Sequence, residues 1–314
     1  MTYRNKLILL STAALLLLLT YFLGNLFNPQ QNISLSPKPL LPQIEAEQIH
    51  TVEFTDAGYS LQRTSNSAEW QVLIEGESFP ADQVQVQSFI ETLAELAYYS
   101  VAAKDAENWE RFSVDSQQST QLALATNGGA QAEIALVFGS QVAGSGHQYA
   151  RISDSDSTYV VDEMSAYLGR SSGYWSDLSL FPAEISIQDV IAIDYRNYHF
   201  ERSETAQGQS RWIRRNGDEK IVDASETADR FLRNFLELSA EEFALAPQRR
   251  NSGLNTPQEV IGIETAGGEA YKLRIGAKNT QNRVFVRPSH KEFTYLVSEW
   301  RVNTLLNPLN ELLE

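Results

Sequence analysis

The side chains that most often do chemistry are few and scattered in this chain. His50, His147, His199 and His290 stand far apart, and none sits in H-E-x-x-H, the spacing that places two zinc ligands one helical turn apart. The absence of cysteine excludes thiolate nucleophiles, cysteine-based zinc sites and redox work by the protein itself. Gly144-Ser145-Gly146-His147 resembles a nucleophile loop superficially, but it lacks G-x-S-x-G and a strand-to-helix setting, so a hairpin loop is expected. Asp154 and Asp156 offer oxygen ligands for Ca²⁺ without the glycine and distal glutamate of a calcium loop, which reads as a solvated turn. No phosphate-cradling glycine loop occurs, so any ATPase would be a separate partner. Paired carboxylates can hydrolyse without His or Cys, yet no spacing singles out a pair. No catalytic, cofactor-binding or metal residue is therefore assigned, no cofactor is expected, and the chain is read as a non-enzyme. A carboxylate-only hydrolase is the chemical alternative left open.

The residues that do recur are structural. Tyr59-Ser60-Leu61-Gln62-Arg63 matches Tyr198-His199-Phe200-Glu201-Arg202, and Trp70 matches Trp212. Phe89, Ile90, Leu93 and Leu96 return as Phe231, Leu232, Phe235 and Leu238 at a constant offset of 142. Ile134, Leu136, Phe138 and Gly139 return as Tyr271, Leu273, Ile275 and Gly276 at 137, and Tyr149, Arg151, Tyr159 and Val161 as Phe285, Arg287, Tyr295 and Val297 at 136. Order is kept while the offset drifts, the pattern of a duplication with small loop deletions.

Both series imply the same elements. Val52 and Phe54, Tyr59 and Leu61, then Trp70, Val72 and Ile74 alternate with polar residues as half-buried strands do. The stripe at 89, 90, 93 and 96 is one face of a helix, with Asp82 and Gln85, or Asp223 and Glu226, as cap signals. Hairpins follow at Asn127-Gly128-Gly129 and Gly267-Gly268, and short terminal helices are expected over 162–168 and 298–306. The expected fold is α+β: two tandem modules, 44–181 and 185–310, each a mainly antiparallel sheet with one packed helix. Recurrence of Trp70, Trp212, Arg151, Arg287, Tyr159 and Tyr295 is read as a shared packing requirement, an aromatic filling the core with an arginine beside it. Tyr98, Tyr99, Tyr174 and Trp175 fall outside that pattern and are the interface candidates, aromatics being enriched at binding hot spots.

The N-terminus supplies an address. Arg4 and Lys6 precede Leu7 to Phe27, 21 residues without charge, enough for about 31 Å of helix and thus one bilayer crossing. The run ends in bulky residues and no cysteine follows, so an uncleaved anchor is expected in place of a signal peptide. Residues 1–6 become a cytoplasmic tail and 28–43, rich in proline, an extended tether to an exported ectodomain. Without Arg4 and Lys6 the chain keeps 23 basic and 40 acidic residues, a charge of −17 that argues against nucleic acid as a partner.

The paired pattern of Trp-containing strand, helix, hairpin ending in Phe138-Gly139 or Ile275-Gly276, then Tyr149-Ala150-Arg151 or Phe285-Val286-Arg287, resembles the bacterial family catalogued as domain of unknown function 4340. The likeness is traced over 44–306 as two tandem copies, with the N-terminal anchor in keeping. It implies a place in the bacterial inner membrane with the ectodomain periplasmic. Because members are similar to envelope proteins found beside gliding-motility-type ABC transporter components, it also implies an accessory or scaffold role with an envelope protein partner. The alternative reading is a periplasmic binding module for a cell-wall polysaccharide or peptide.

Overall fold

Alternation of apolar and polar residues at period two commits much of this chain to strands. The computed structural model describes residues 36–41, 44–63, 69–115, 119–126, 134–204, 210–216, 218–220 and 225–313. A first series runs β1 (Lys38–Pro39), β2 (Ile49–Phe54), β3 (Tyr59–Arg63), β4 (Trp70–Ile74), β5 (Glu77–Pro80), α1 (Gln83–Ala94), β6 (Ala97–Ala103), α2 (Trp109–Phe112), β7 (Thr120–Thr126), β8 (Ile134–Val142), β9 (His147–Ile152) and β10 (Thr158–Asp162). A second runs α3 (Ser172–Trp175), β11 (Val190–Tyr195), β12 (Tyr198–Glu204), β13 (Ser210–Asn216), β14 (Asp218–Lys220), α4 (Ser225–Leu236), β15 (Glu242–Phe243), α5 (Ala246–Arg249), β16 (Glu259–Thr265), β17 (Ala270–Lys278), β18 (Arg283–Pro288), β19 (Tyr295–Ser298) and α6 (Glu299–Leu313). The fold is α+β, with two antiparallel sheets and few helices.

Two compact units form, one from the described residues of Met1–Asp56 and Phe89–Gly169, the other from those of Ala57–Ser88 and Arg170–Glu314. In the first unit the strands stand in the order β1-β6-β10-β9-β8-β7-β2. Their inward residues, among them Val52, Phe54, Leu122, Leu124, Leu136 and Phe138, are buried, and Phe54 stacks on Phe89 of α1 with ring centroids 5.8 Å apart. Asp82 caps α1, its Oδ1 accepting from the Gln85 N–H at 3.0 Å.

In the second unit β3, β4 and β5 form a meander, and nine strands run β14-β13-β12-β11-β16-β17-β18-β19-β15. Helix α4 buries Ala228, Phe231, Leu232 and Phe235, the i, i+3, i+4, i+7 face of a helix laid on a sheet. It packs against α6, which buries Val302, Leu305, Pro308, Leu309 and Leu312. Pro308 has no N–H to give the carbonyl four residues back. That carbonyl, on Thr304, accepts instead from Asn234 Nδ2 at 3.3 Å, so the defect becomes a tie between the two helices.

Three expectations change. No helix forms over 162–168: Asp162 closes β10, and after the buried Met164 the chain turns through to Gly169 at φ +73°. Over 162–168 only Met164 is buried, so the segment lacks the stripe of buried positions by which packing holds a helix. The counterpart in the second series runs past 306, because Leu309 and Leu312 prolong the stripe. Third, part of the proline-rich stretch is docked: β1 pairs with β6, the Leu40 N–H donates to the Leu96 carbonyl at 2.7 Å, and Leu40 and Leu41 are buried. The expected tail and transmembrane segment at 1–27, the Asn127-Gly128-Gly129 turn and Asp223 lie outside the described residues. Among the described residues no helix is long and apolar enough to cross a membrane.

Candidate functional site

The recurring tryptophans are built into cross-strand pairs. Trp70 on β4 lies opposite Arg63 on β3, and Trp212 on β13 opposite Arg202 on β12. Both indoles are buried, and the guanidinium carbons stand 5.1 and 5.0 Å from the ring centroids. An arginine over a tryptophan face interacts with the ring quadrupole while its stem covers apolar surface. The arginine beside each tryptophan is thus Arg63 or Arg202, and not Arg151 or Arg287. Arg151 is buried over Trp109 instead, 3.9 Å from the ring centroid, its Nε donating to the Val114 carbonyl at 2.8 Å. Burial lowers its pKa below the usual arginine value, opposed by the nearby charges of Asp115 and Asp156. Arg287 is exposed, with Nη2 donating to the Glu292 carbonyl at 2.7 Å. The sequence match of those two arginines does not carry a shared environment.

The glycine that closes each Phe-Gly or Ile-Gly pair has a steric cause. A Cβ on Gly139 would lie 2.2 Å from the Phe112 carbonyl oxygen, and one on Gly276 would lie 2.1 Å from that of Ser252. In both series the chain after the short helix crosses the strand at that point, with Val114 or Leu254 against the glycine. Strand register shifts there too, between Phe138 and Gln141 and between Ile275 and Lys278. Such close backbone approach admits only glycine.

The interface candidates fall in separate units. Tyr98 and Tyr99 lie on β6: the Tyr98 ring is 5.0 Å from Tyr159, and Tyr99 donates its hydroxyl to Asp162 Oδ1 at 2.7 Å while standing edge-on to His147. The bond to Asp162 raises the Tyr99 pKa. Both are half-buried. Trp175, in contrast, is 0 % exposed, so it is a core residue and no exposed aromatic. Its Nε1 donates to the Tyr59 hydroxyl at 2.9 Å, which donates in turn to the Arg170 carbonyl at 2.8 Å. Tyr174 is half-buried, edge-on to Trp175 and under the Arg170 guanidinium.

Other groupings arise only through pairing. His199 Nδ1 is 2.7 Å from Asp194 Oδ1 and its Nε2 is 3.2 Å from Glu201 Oε1, because β11 and β12 place residues 194 and 199 opposite each other and residue 201 shares the face. The bond to Asp194 raises the His199 pKa, burial opposes it, and Glu201 adds to the rise. With a carboxylate at each ring nitrogen, the protonated imidazole can donate from both sides and act as a strut between β11 and β12. A cleft of about 80 Å³, lined by residues including Gly173, Phe243 and Gln248, has room for a few water molecules. An open groove of about 410 Å³ runs between Pro182–Ile187 and the end of α4. Among the described residues no group of three or more His, Cys, Asp or Glu is placed to hold a metal. Gly144 and Gly146, at φ +73° and +67°, do form the turn between β8 and β9.

Antiparallel α+β architecture with packing glycines and Trp–Arg pairs defines a structural class more than a chemistry. Residues 70–257 match the model of the family described as Domain of unknown function (DUF4340), and the chain belongs to that family. The match is a single one, over residues 70–257, and it runs through Phe181-Pro182. No curated protein and no solved structure matches the chain.

Proposed function

We propose that this protein is a membrane-anchored, non-enzymatic accessory or scaffold of the bacterial cell envelope, working with a protein partner such as the components of an ABC-type transporter. The observation that carries it is the uncharged run Leu7 to Phe27 behind Arg4 and Lys6, which would hold the N-terminus in the cytoplasm and the rest of the chain outside. The family resemblance supports the accessory role. So does the use of the recurring residues: Trp70, Trp212, Gly139 and Gly276 are all spent on packing.

The ectodomain is, on this reading, a duplicated α+β module. Element order supports it, as do details the sequence recurrence leaves out. A 3₁₀ turn with a capping box precedes each first long strand, at Glu45 and Gln48 and again at Ser186 and Asp189. Pro39 opposite Ala97 has a counterpart in the bridge between Ser179 and Ser239, and Leu40-Leu41-Pro42 in Leu180-Phe181-Pro182.

The reading is tested by crosslinking in intact membranes followed by purification of the full-length protein. Recovery of an integral-membrane or envelope assembly partner at fixed stoichiometry is the expected result. Recovery of the protein alone, together with retention on isolated cell-wall polysaccharide, would replace it with the binding-module reading.

A further inference from the structure

The hairpin of β17 and β18 departs from the charge of the rest of the chain. Residues 270–291 hold six lysines and arginines and no aspartate or glutamate, whereas the whole chain holds 25 against 40. Three of the six are neutralised by carboxylates on other elements. Lys278 pairs with Glu299 at 3.1 Å, Arg283 with Glu241 at 3.4 Å and with Glu242, and Lys291 with Asp177 at 3.2 Å. The other three, Lys272, Arg274 and Arg287, are exposed and form no ion pair among the described residues. They share one face. Tyr271, Leu273 and Ile275 enter the core, so Lys272 and Arg274 stand on the outer side, and Arg274 lies directly opposite Arg287. Like charges set opposite each other on a sheet cost stability, and a merely soluble surface would gain from a carboxylate at either position. On β16, Val260 and Gly262 stand opposite Arg274 and Lys272, so no acid faces them from that side. The next carboxylate along the row, that of Asp194, is engaged by His199 at 2.7 Å. Glu269 accepts from the Tyr271 hydroxyl, and Glu292 gives Arg287 its carbonyl. The chain is described without a break from Ser225 to Leu313, so the hairpin, the strands flanking it and the segments joining them are all accounted for.

We propose that this face binds an acidic segment of a partner protein, whose carboxylates pair with Arg274, Arg287 and Lys272. A guanidinium can donate two parallel N–H bonds to one carboxylate, and an anion between Arg274 and Arg287 relieves their opposition. Arg287 is already held by its bond to the Glu292 carbonyl at 2.7 Å, so it loses less freedom on binding. Two observations select a peptide. Val260, 39 % exposed, lies beside Arg274 on the same face and offers an apolar contact that a phosphate polymer cannot use. The chain's net charge of −15 repels an extended polyanion or an anionic bilayer, whereas a short segment meets only the local patch. The proposal rests on the accessory reading for the source of the segment and adds its chemistry.

The test is fluorescence anisotropy of a short labelled peptide alternating glutamate and valine, titrated with the full-length protein in neutral detergent. Saturable binding that weakens as salt is raised is expected. Arg274→Gln and Arg287→Gln should each weaken it about tenfold, the loss of one charge-assisted pair. Lys278→Gln removes the same charge from the same hairpin at a residue already paired with Glu299, and should leave binding within about twofold of the parent. A peptide with glycine in place of valine should bind more weakly, having lost the contact with Val260. Arg274→Gln should melt no lower than the parent, because it relieves the opposition to Arg287, so its loss of binding does not report unfolding. Absence of binding, equal weakening by Lys278→Gln, or full retention in both arginine variants would overturn the proposal. Tighter binding of a phosphate oligomer of equal charge, lost in Arg274→Gln, would overturn it in favour of a phosphate ligand. Self-association at low salt, lost in the same variant, would also overturn it and assign the face to a second copy. Because the assay uses purified protein and a synthetic peptide, its failure leaves the crosslinking result, which tests the accessory reading, untouched.

Discussion

Replacing Gly276 by alanine probes the closest backbone approach in the second unit. The new Cβ would lie 2.1 Å from the Ser252 carbonyl oxygen, more than about 1 Å inside ordinary contact, and 3.1 Å from the Leu254 side chain. That oxygen accepts from the Ala277 N–H at 2.7 Å, so moving it aside also breaks a hydrogen bond. Overpacking costs about 1–3 kcal/mol and the lost bond about 1 kcal/mol, giving about 2–4 kcal/mol together. At about 2–4 °C per kcal/mol, the melting temperature should fall by roughly 4–16 °C. Gly267→Ala is the control, since only Thr265 Oγ1 lies near, at 3.7 Å, and it should stay within about 0.5 kcal/mol of the parent. Equal melting of G276A and G267A by calorimetry or circular dichroism would refute the steric account of the Ile-Gly pair. Gly139→Ala should behave like G276A, its Cβ meeting the Phe112 carbonyl oxygen at 2.2 Å.

Trp212→Ala, and likewise Trp70→Ala, should cost about 3–5 kcal/mol in denaturant unfolding; lost partner binding with unchanged stability would mean that the indole faces a ligand. His199 should titrate above its ordinary value of 6.5 by NMR, the shift arising from Asp194 first. Its folded pKa is the raised one, so its stabilisation is fully present below about pH 6.5 and fades as pH rises through the folded value. His199→Gln should flatten that part of a stability profile, and a midpoint at or below 6.5 would contradict the strut. The protein should stay in the membrane pellet after a carbonate wash, and a soluble form starting near residue 28 would defeat the anchor.

Periodicity made the strands and long helices legible because each element buries one face, and burial leaves its period in the residues. Val52, Phe54 and Trp70 alternate as strands do, and Phe231, Leu232 and Phe235 mark the buried side of α4. Residues 162–168 read as a helix in sequence although they form a turn, because a few apolar residues fit a turn packed through Met164 as well as they fit a helix. Trp175 looked exposed beside Tyr174 because adjacent aromatics have no period; its burial depends on Tyr59, 116 residues away in sequence. A signal for β1 lies in Leu40-Leu41-Pro42 and its echo Leu180-Phe181-Pro182, but the surrounding prolines have the composition of a tether and obscure it.

The sequence by itself determined the antiparallel α+β class, the family likeness, the recurrence of Trp70 with Trp212 and of Gly139 with Gly276, and the lack of cysteine chemistry. These are properties of local pattern and residue type. Only the tertiary structure decided which arginine lies on which tryptophan, why the recurrent glycines cannot carry a side chain, and how Asp194 and Glu201 bracket His199. Each of those depends on strand order and register, which are set by contacts between residues far apart in the chain and leave no repeating mark in either partner alone.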